Sequence, residues 1–269
     1  KLRVIGKEDL LEPMNRQALA LARDVADETG ALFAGDICNT NVFEPGDDDS
    51  ERAVRAMFEE QVGWAAEAGV DFVIAETFSF GEEAMLAVET IREADLPAVV
   101  TLAIPQRPRT REGWTPAEAC ERLEDAGADV VGLNCFRGPW TMLPLLPQIR
   151  EAVACHVAAL PVPYRTDEDE PTFGSLRDRG SQTPSFPTGL DPFLCNRDEI
   201  AEFGRQAFAL GVRYLGVCCG NAPHFTRSLA EGLGRTPPAS RYSPDMSKHA
   251  FYGTDERLKP SYREFRAEF

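Results

Sequence analysis

The 269-residue sequence lacks any apolar run near the roughly 20 residues that a membrane-spanning helix needs. Its first residues also lack the apolar segment of a signal peptide. Basic residues are scarce, because 28 Lys and Arg stand against 44 Asp and Glu, for a net charge of −16. A negative surface repels phosphate backbones and anionic lipids. We therefore expect no nucleic-acid partner and no membrane partner.

The seven cysteines lack the even number and the regular spacing of a disulfide framework, and two of them are adjacent. This usage favours a reducing, cytoplasmic compartment. Thiolates are soft ligands that zinc prefers, so some of these cysteines are candidates for a metal site. The three histidines show no metal-ligand spacing, and we expect structural roles for them.

One pattern recurs along the chain: a helical stretch ends at glycine, and a short apolar run follows. Glycine supplies the left-handed cap of a helix, and the apolar run predicts a strand buried on both faces. Six strands are predicted, at residues 31–37, 71–76, 96–104, 130–135, 156–162 and 214–219. Helices are predicted between them, at residues 51–68 and 81–94, after Thr115, and after a capping box of Asn196 and Glu199. This alternation indicates a parallel α/β fold, either doubly wound or a (β/α)8 barrel.

Two segments depart from the alternation. Residues 163–193 are polar and rich in Pro and Gly, and a loop of this length in a compact domain is usually functional, often a lid. Residues 234–269 are polar with scattered aromatics, which is typical of an arm that packs on the barrel or on a partner. We expect self-association through this arm.

Polar residues fall where the predicted strands end: Asp36, Glu76, the pair Asn134-Cys135, and the pair Cys218-Cys219. The carboxyl ends of parallel barrel strands converge on one face, so these side chains could meet. Adjacent residues of a regular strand point to opposite faces, and Gly220 offers the break that lets both adjacent cysteines reach one metal. Buried, metal-free cysteines remain the alternative.

The stretches GLNC (132–135) and GVCCGNAP (216–223) resemble the zinc-binding motifs of the homocysteine S-methyltransferase family, and the resemblance is nearest to its betaine-using branch. It extends to LARDVADETGALFAG (21–35), DFVIAETFSFGEEAMLAVET (71–90) and GVRYLGVCCG (211–220), and covers most of residues 14–239. It implies a (β/α)8 TIM barrel with Cys135, Cys218 and Cys219 as zinc ligands. It also implies that Glu76 binds the amino group of homocysteine, with Thr77 and Asn134 as further substrate-binding candidates.

The resemblance implies zinc-dependent methyl transfer from a betaine-type onium donor to the homocysteine thiolate, giving methionine, without a protein residue as nucleophile. Three departures keep alternatives open. Val217 replaces the second glycine of the family's Gly-Gly-Cys-Cys, and Thr77 stands where betaine enzymes carry tyrosine and sulfonium-using members carry threonine. S-methylmethionine or dimethylsulfoniopropionate as donor, a homocysteine module of a cobalamin-dependent system, and a non-catalytic zinc-stabilised barrel are the rival hypotheses.

The third departure concerns the count of strands. Six strands are two fewer than a full barrel needs, and the chain begins at Lys1 without Met. We therefore expect residues 1–233 to form a homocysteine-binding barrel domain that lacks its first two strands, with residues 1–13 beside a gap in the barrel wall. Residues 234–269 are expected to form the C-terminal arm.

Overall fold

The structure is a computed structural model that describes residues 2–265, without the side chains of Tyr262 and Arg263. Six parallel strands form one sheet, and their order in the sheet is their order in the chain. The strands are β1 Ala34–Cys38, β2 Phe72–Phe78, β3 Ala98–Leu102, β4 Val130–Asn134, β5 His156–Leu160 and β6 Tyr214–Leu215. The helices are α1 Leu11–Thr29, α2 Asp48–Ala68, α3 Gly81–Glu93, α4 Pro116–Asp125, α5 Pro139–Met142, α6 Leu146–Ala152, α7 Arg197–Ala209, α8 Pro223–Gly232 and α9 Pro260–Phe265.

The strand order decides between the two architectures that the sequence allowed. A doubly wound sheet reverses its order at a switch point, whereas a barrel adds each new strand beside the last. Here every strand pairs with its neighbour in sequence, in parallel register, and β1 and β6 lie at the two ends of the sheet. The fold is therefore of the (β/α) barrel type, and the predicted number of six strands is confirmed for residues 2–265.

The core lies between the sheet and the helices that cover its outer face. Strand β3 is buried at every residue, as a strand covered on both faces should be. Helix α2 buries Val54, Phe58 and Val62, which are at most 1% exposed and recur at helical spacing. The ring of Phe58 meets the edge of Phe78 from β2 at a centroid distance of 6.0 Å. These contacts fix the strands whose ends carry the candidate site.

Local capping signals set the helix ends. Gly30 and Gly69 both have φ of 71° and end α1 and α2 in the left-handed conformation. The predicted cap at Thr115 and the capping box of Asn196 and Glu199 are confirmed. Helix α2 begins earlier than predicted, because Asp47 is its N-cap and accepts from the backbone N–H groups of the next turn.

The sixth strand differs from its prediction. It covers Tyr214–Leu215 instead of 214–219, and its only partner strand within residues 2–265 is β5. Beyond Leu215 the chain keeps irregular bonds to the segment after β5, where the N–H of Cys218 donates to the carbonyl of Pro161 at 2.8 Å. A strand at the end of a sheet pairs on one side only. Pro161 and Pro163 interrupt the chain directly after β5, so β6 loses its regular partner there and ends.

The two irregular segments have the character that the sequence predicts. Between Tyr164 and Leu194 the chain forms isolated antiparallel bridges and a 3-10 turn at Asp191–Phe193. After residue 233, the part that the structure describes contains 3-10 turns and α9 but no strand. Residues 266–269 of the predicted arm lie outside the described residues. No helix within residues 2–265 is both long enough and apolar enough to cross a bilayer.

Candidate metal and substrate site

Three cysteine thiols meet where β4 and β6 end. The Sγ atom of Cys135 lies 3.7 Å from that of Cys219, and the Sγ atoms of Cys218 and Cys219 are 4.0 Å apart. All three sulfur atoms lie within 4.8 Å of one another. Cys135 is buried, Cys218 is half-buried and Cys219 is exposed, so the cluster opens to solvent on one side. Three soft donors this close match the ligand set that zinc prefers.

The backbone around the adjacent cysteines explains how both face the same point. Strand β6 has already ended at Leu215, and Cys218 begins a turn in which its carbonyl accepts the N–H of Asn221 at 3.0 Å. Gly220 lies in this turn with φ of 90°, a conformation that favours glycine. The sequence predicted a break at Gly220, and the turn supplies it.

Across the cluster from the adjacent cysteines, the backbone of Cys135 is also irregular. Cys135 and Phe136 both have positive φ, at 55° and 53°. Such conformations cost of order 1–3 kcal/mol for residues other than glycine and cluster at functional sites. The N–H of Cys135 still donates to the carbonyl of Leu160 at 3.0 Å, so the thiol is tied to the end of the sheet.

A second group of side chains sits beside the thiols. Strands β2 and β3 shift register between Ala75 and Phe78, and a bulge of this kind re-aims side chains. Within the bulge, Glu76 and Thr77 both contact the side-chain amide of Asn134. The structure thus brings Glu76, Thr77 and Asn134 together, and the Nδ2 atom of Asn134 is 3.7 Å from the Sγ atom of Cys218.

The site concentrates negative charge. Burial raises the pKa of Glu76, and the nearby charge of Cys219 raises it further. The pKa of Cys219 falls because the thiols of Cys135 and Cys218 donate hydrogen bonds to it. Tyr214 of β6 feels the same field, since burial and then the charges of Glu76 and Asp36 raise its pKa. A carboxylate beside three thiols is a setting that a bound cation stabilises.

Asp36 is placed differently from its prediction. Strand β1 continues to Cys38, so Asp36 lies in the middle of the strand and not at its end. Its side chain is exposed, and its charge is close enough to Tyr214 of β6 to raise the pKa of that phenol.

An aromatic cluster beside the thiols was not predicted. Phe173, from the irregular segment after β5, stacks on Tyr164 at 6.2 Å and on Phe136 at 6.2 Å between ring centroids. Phe186 meets the edge of Phe173 at 5.0 Å. Phe136, Tyr164, Phe173 and Cys218 pack on one small core that contains Cys135. The signal in the sequence was an aromatic residue directly after Cys135 and others in the predicted lid.

Arg137 is a second residue that sequence reasoning missed. Its side chain is 5% exposed, and it donates to the carbonyls of Pro105 and Gln106 at 2.7 and 2.8 Å and to that of Thr141 at 3.3 Å. Burial lowers its pKa. This guanidinium joins the loop after β3 to the loop after β4, which carries Cys135.

The chain is similar to known proteins along most of its length. A family model described as homocysteine S-methyltransferase matches residues 1–233. An S-methylmethionine–homocysteine S-methyltransferase of Rattus norvegicus is 37% identical over 268 residues, which are 95% of this chain and 69% of the relative. The betaine–homocysteine S-methyltransferase 1 of Xenopus tropicalis is 36% identical over 257 residues, which are 93% of this chain and 60% of the relative. The chain thus spans 60 to 69% of the length of these two relatives.

Solved structures share the fold. The metallated form of the homocysteine methyltransferase MmuM from Escherichia coli matches with a TM-score of 0.62 and 16% identity, over 86% of this chain and 74% of that one. Its apo form matches with a TM-score of 0.59 and 15% identity, over 82% and 72%.

Proposed function

The chain belongs to the homocysteine S-methyltransferase family, and from this premise we propose that it transfers a methyl group from an onium donor to the sulfur of homocysteine. A carbon–sulfur bond forms to give methionine, the thiol gives up its proton, and the onium centre leaves as a neutral amine or sulfide. The observation that carries the proposal is the convergence of three thiols within 4.8 Å beside the half-buried carboxylate of Glu76.

We propose that Cys135, Cys218 and Cys219 hold Zn²⁺. The donor set fits, because three thiols are close together, belong to irregular backbone that can orient them, and open to solvent through Cys219. Bound zinc would lower the pKa of the homocysteine thiol that coordinates it and keep this thiol as the nucleophilic thiolate near neutral pH. We also propose a reducing, cytoplasmic location, because the seven cysteines lack the even number and regular spacing of a disulfide framework.

The chain's own residues would bind and orient the acceptor. The carboxylate of Glu76 is half-buried and binds the ammonium group of homocysteine. A positive charge beside it offsets the cost of burying the ionised carboxylate. Asn134 completes this part of the site, because its side-chain amide contacts both Glu76 and Thr77. The exposed side of Cys219 leaves room for the thiol of the acceptor.

A betaine-type compound is the donor we favour. A betaine–homocysteine S-methyltransferase is 36% identical to the chain, and the rings of Phe136, Tyr164 and Phe173 beside the thiols offer faces that attract a quaternary ammonium group. S-methylmethionine is the second candidate, favoured by Thr77 directly after Glu76 and by the name of the rat relative.

A donor screen tests the proposal. Zinc-loaded full chain is incubated with homocysteine and, separately, with betaine, S-methylmethionine, dimethylsulfoniopropionate or methylcobalamin, and methionine is quantified. Methionine formation with betaine supports the first choice, and formation with a sulfonium donor supports the second. Activity with methylcobalamin alone would favour a homocysteine module of a cobalamin-dependent system, and inactivity with every donor would favour a non-catalytic barrel.

We also propose that copies of the chain associate through the C-terminal arm. Tyr242, Tyr252 and Phe265 are 66%, 51% and 45% exposed there, and contact with a second copy would remove this apolar surface from water. The test is size-exclusion chromatography with light scattering on the full chain and on a chain that ends at residue 233. The measured molar mass divided by the mass of one chain gives the number of copies, and the same number for both proteins would contradict the proposal.

A further inference from the structure

The amide of Asn134, at the end of β4, contacts both halves of the site. Its Oδ1 atom accepts the N–H of Thr77 at 3.0 Å, and its Nδ2 atom donates to Oγ1 of Thr77 at 2.8 Å. The same nitrogen lies 3.2 Å from Oε2 of Glu76 and 3.7 Å from Sγ of Cys218. A single uncharged group therefore connects the carboxylate to a candidate metal ligand.

The network fixes which way this amide points. Amide oxygen and nitrogen are assigned from their partners, and the partners here leave one choice. The backbone N–H of Thr77 can only donate, so the amide oxygen must face it. The ionised carboxylate of Glu76 can only accept, so the amide nitrogen must face that side.

The burial of Asn134 separates its role from that of the substrate-binding side chains. The residue is fully buried at 0% exposure, whereas Glu76 and Thr77 are partly exposed. Asn134 therefore acts on a ligand through its neighbours. The two N–H bonds of this neutral amide are shared among Oε2 of Glu76, Oγ1 of Thr77 and Sγ of Cys218, and a neutral donor leaves the negative charge of the carboxylate uncancelled.

The backbone of Thr77 shows why this contact matters. Thr77 has φ of 67°, which is an outlier for a β-branched residue, and it lies in the bulge that re-aims Glu76. The hydrogen bond from Thr77 N–H to Asn134 holds this strained conformation in place. Without the amide, β2 loses the contact that fixes the direction of Glu76.

We propose that Asn134 is a positioning residue that sets the carboxylate of Glu76 for the ammonium group of homocysteine and, through the same amide, orients Cys218. This inference rests on the proposed function for its homocysteine half. Its Cys218 half depends only on a metal bound by the three thiols.

The first measurement concerns the ligand. Cobalt-loaded full chain is titrated with homocysteine and with 4-mercaptobutyrate, which lacks the amino group, and binding is followed by the cobalt–thiolate absorption. We expect the wild type to bind homocysteine more tightly than 4-mercaptobutyrate. In Asn134→Ala the ratio of the two affinities should fall by at least about ten-fold, as it does when a residue that hydrogen-bonds to a binding group is removed. Glu76→Gln should lose it too, and the double variant should lose little more than either single variant, because the two residues act as one unit.

The second measurement uses the metal alone. Competition with a chelator gives the Co²⁺ affinity, and absorption gives the energy of the cobalt–thiolate band. We expect Asn134→Ala to bind Co²⁺ about 10- to 100-fold more weakly and to shift the band, because an amide donor to Cys218 is removed. A merely structural role would lower the melting temperature and leave the band of the folded protein unchanged.

Thr101→Val is the matched control. Thr101 is 1% exposed in the neighbouring strand β3, and its hydroxyl has no hydrogen-bond partner among the residues that the structure describes. The variant therefore removes a buried polar group outside the network. It should retain the ligand preference, the metal affinity and the band. If Asn134→Ala keeps the wild-type preference or the wild-type metal affinity and band, the corresponding half of the inference is overturned. A wild type that binds cobalt but does not prefer homocysteine contradicts the proposed function, and the metal measurement then decides the Cys218 half separately.

Discussion

The Sγ atoms of Cys135 and Cys219 lie 3.7 Å apart although 84 residues separate them in the chain. Each follows the carboxyl end of a parallel strand, and β5 lies between those two strands. Barrel topology thus brings distant thiols together, while the irregular backbone at Cys135 and Gly220 turns them toward one another.

We predict that Cys135→Ala removes the bound metal and leaves the fold intact. Zinc content after dialysis should fall from one ion per chain to near zero. Methyl transfer should fall by more than the roughly 100-fold that loss of an outer ligand support costs. The thermal unfolding of the metal-free proteins should differ little, because a small buried side chain is replaced by a smaller one.

Cys120→Ala is the control for this variant. Cys120 is fully buried in α4, away from the thiol cluster, so it should retain zinc and activity. If Cys135→Ala unfolds instead, and the wild type transfers no methyl group from any onium donor, the metal has a structural role and the barrel is non-catalytic.

Gly220→Ala should weaken metal binding. A Cβ atom at this position would lie 2.5 Å from the phenolic oxygen of Tyr164, and φ of 90° disfavours alanine. The turn that holds Cys218 and Cys219 must shift, so we expect at least about ten-fold weaker zinc binding in a chelator competition. Gly46→Ala separates strain from contact, because Gly46 has φ of 74° and no atom within 4 Å of an added Cβ. It should lose about 1–2 kcal/mol of stability and keep its zinc affinity.

The fold was largely predictable from the sequence because its signals are local. The glycine caps at Gly30 and Gly69 and the capping box at Asn196 act within one or two turns of chain, and the structure confirms each. The extent of β6 was not predictable, because the apolar run 214–219 has the composition of a strand. What shortens it is the loss of a regular partner beyond β5, a tertiary effect.

The candidate site divides in the same way. The three cysteines and Glu76 could be singled out because they fall at the ends of predicted strands, in stretches that resemble motifs of the family. The contact of Phe173 with Phe136, by contrast, depends on how the segment after β5 folds back over the thiols. Periodicity carries no information about such a loop contact.

Replacing Arg137 should loosen the loop that carries Cys135. Arg137 is 5% exposed, and its guanidinium donates to the carbonyls of Pro105 and Thr141, so Arg137→Met leaves both carbonyls without this donor. We expect a loss of about 2 kcal/mol in the free energy of unfolding by urea, and Arg137→Lys should restore only part of it, since a lysine lacks the planar fork. The exposed Arg107 in the loop after β3 is the control, and Arg107→Met should change stability by less than about 0.5 kcal/mol. Equal losses for both positions would contradict a specific role of Arg137.

The last prediction concerns pH, and it follows from Glu199 of the α7 capping box. Its carboxylate binds Arg165, at the start of the segment after β5, with oxygen–nitrogen distances of 2.8, 3.1 and 2.7 Å, and this ion pair lowers the pKa of Glu199. A lowered folded-state pKa adds stability at pH values above the ordinary glutamate pKa, and this contribution is lost as the pH falls through the lowered value.

Glu199→Gln keeps the cap but removes the charge, so at pH 7 we expect it to be less stable by about 0.5–1 kcal/mol in urea unfolding, as for an exposed pair. The difference should shrink as the medium is acidified, and Arg165→Met should reproduce it, because the same pair is lost. If the variant stays less stable by the same amount at low pH, packing and not the charge of Glu199 stabilises the contact between α7 and the segment after β5.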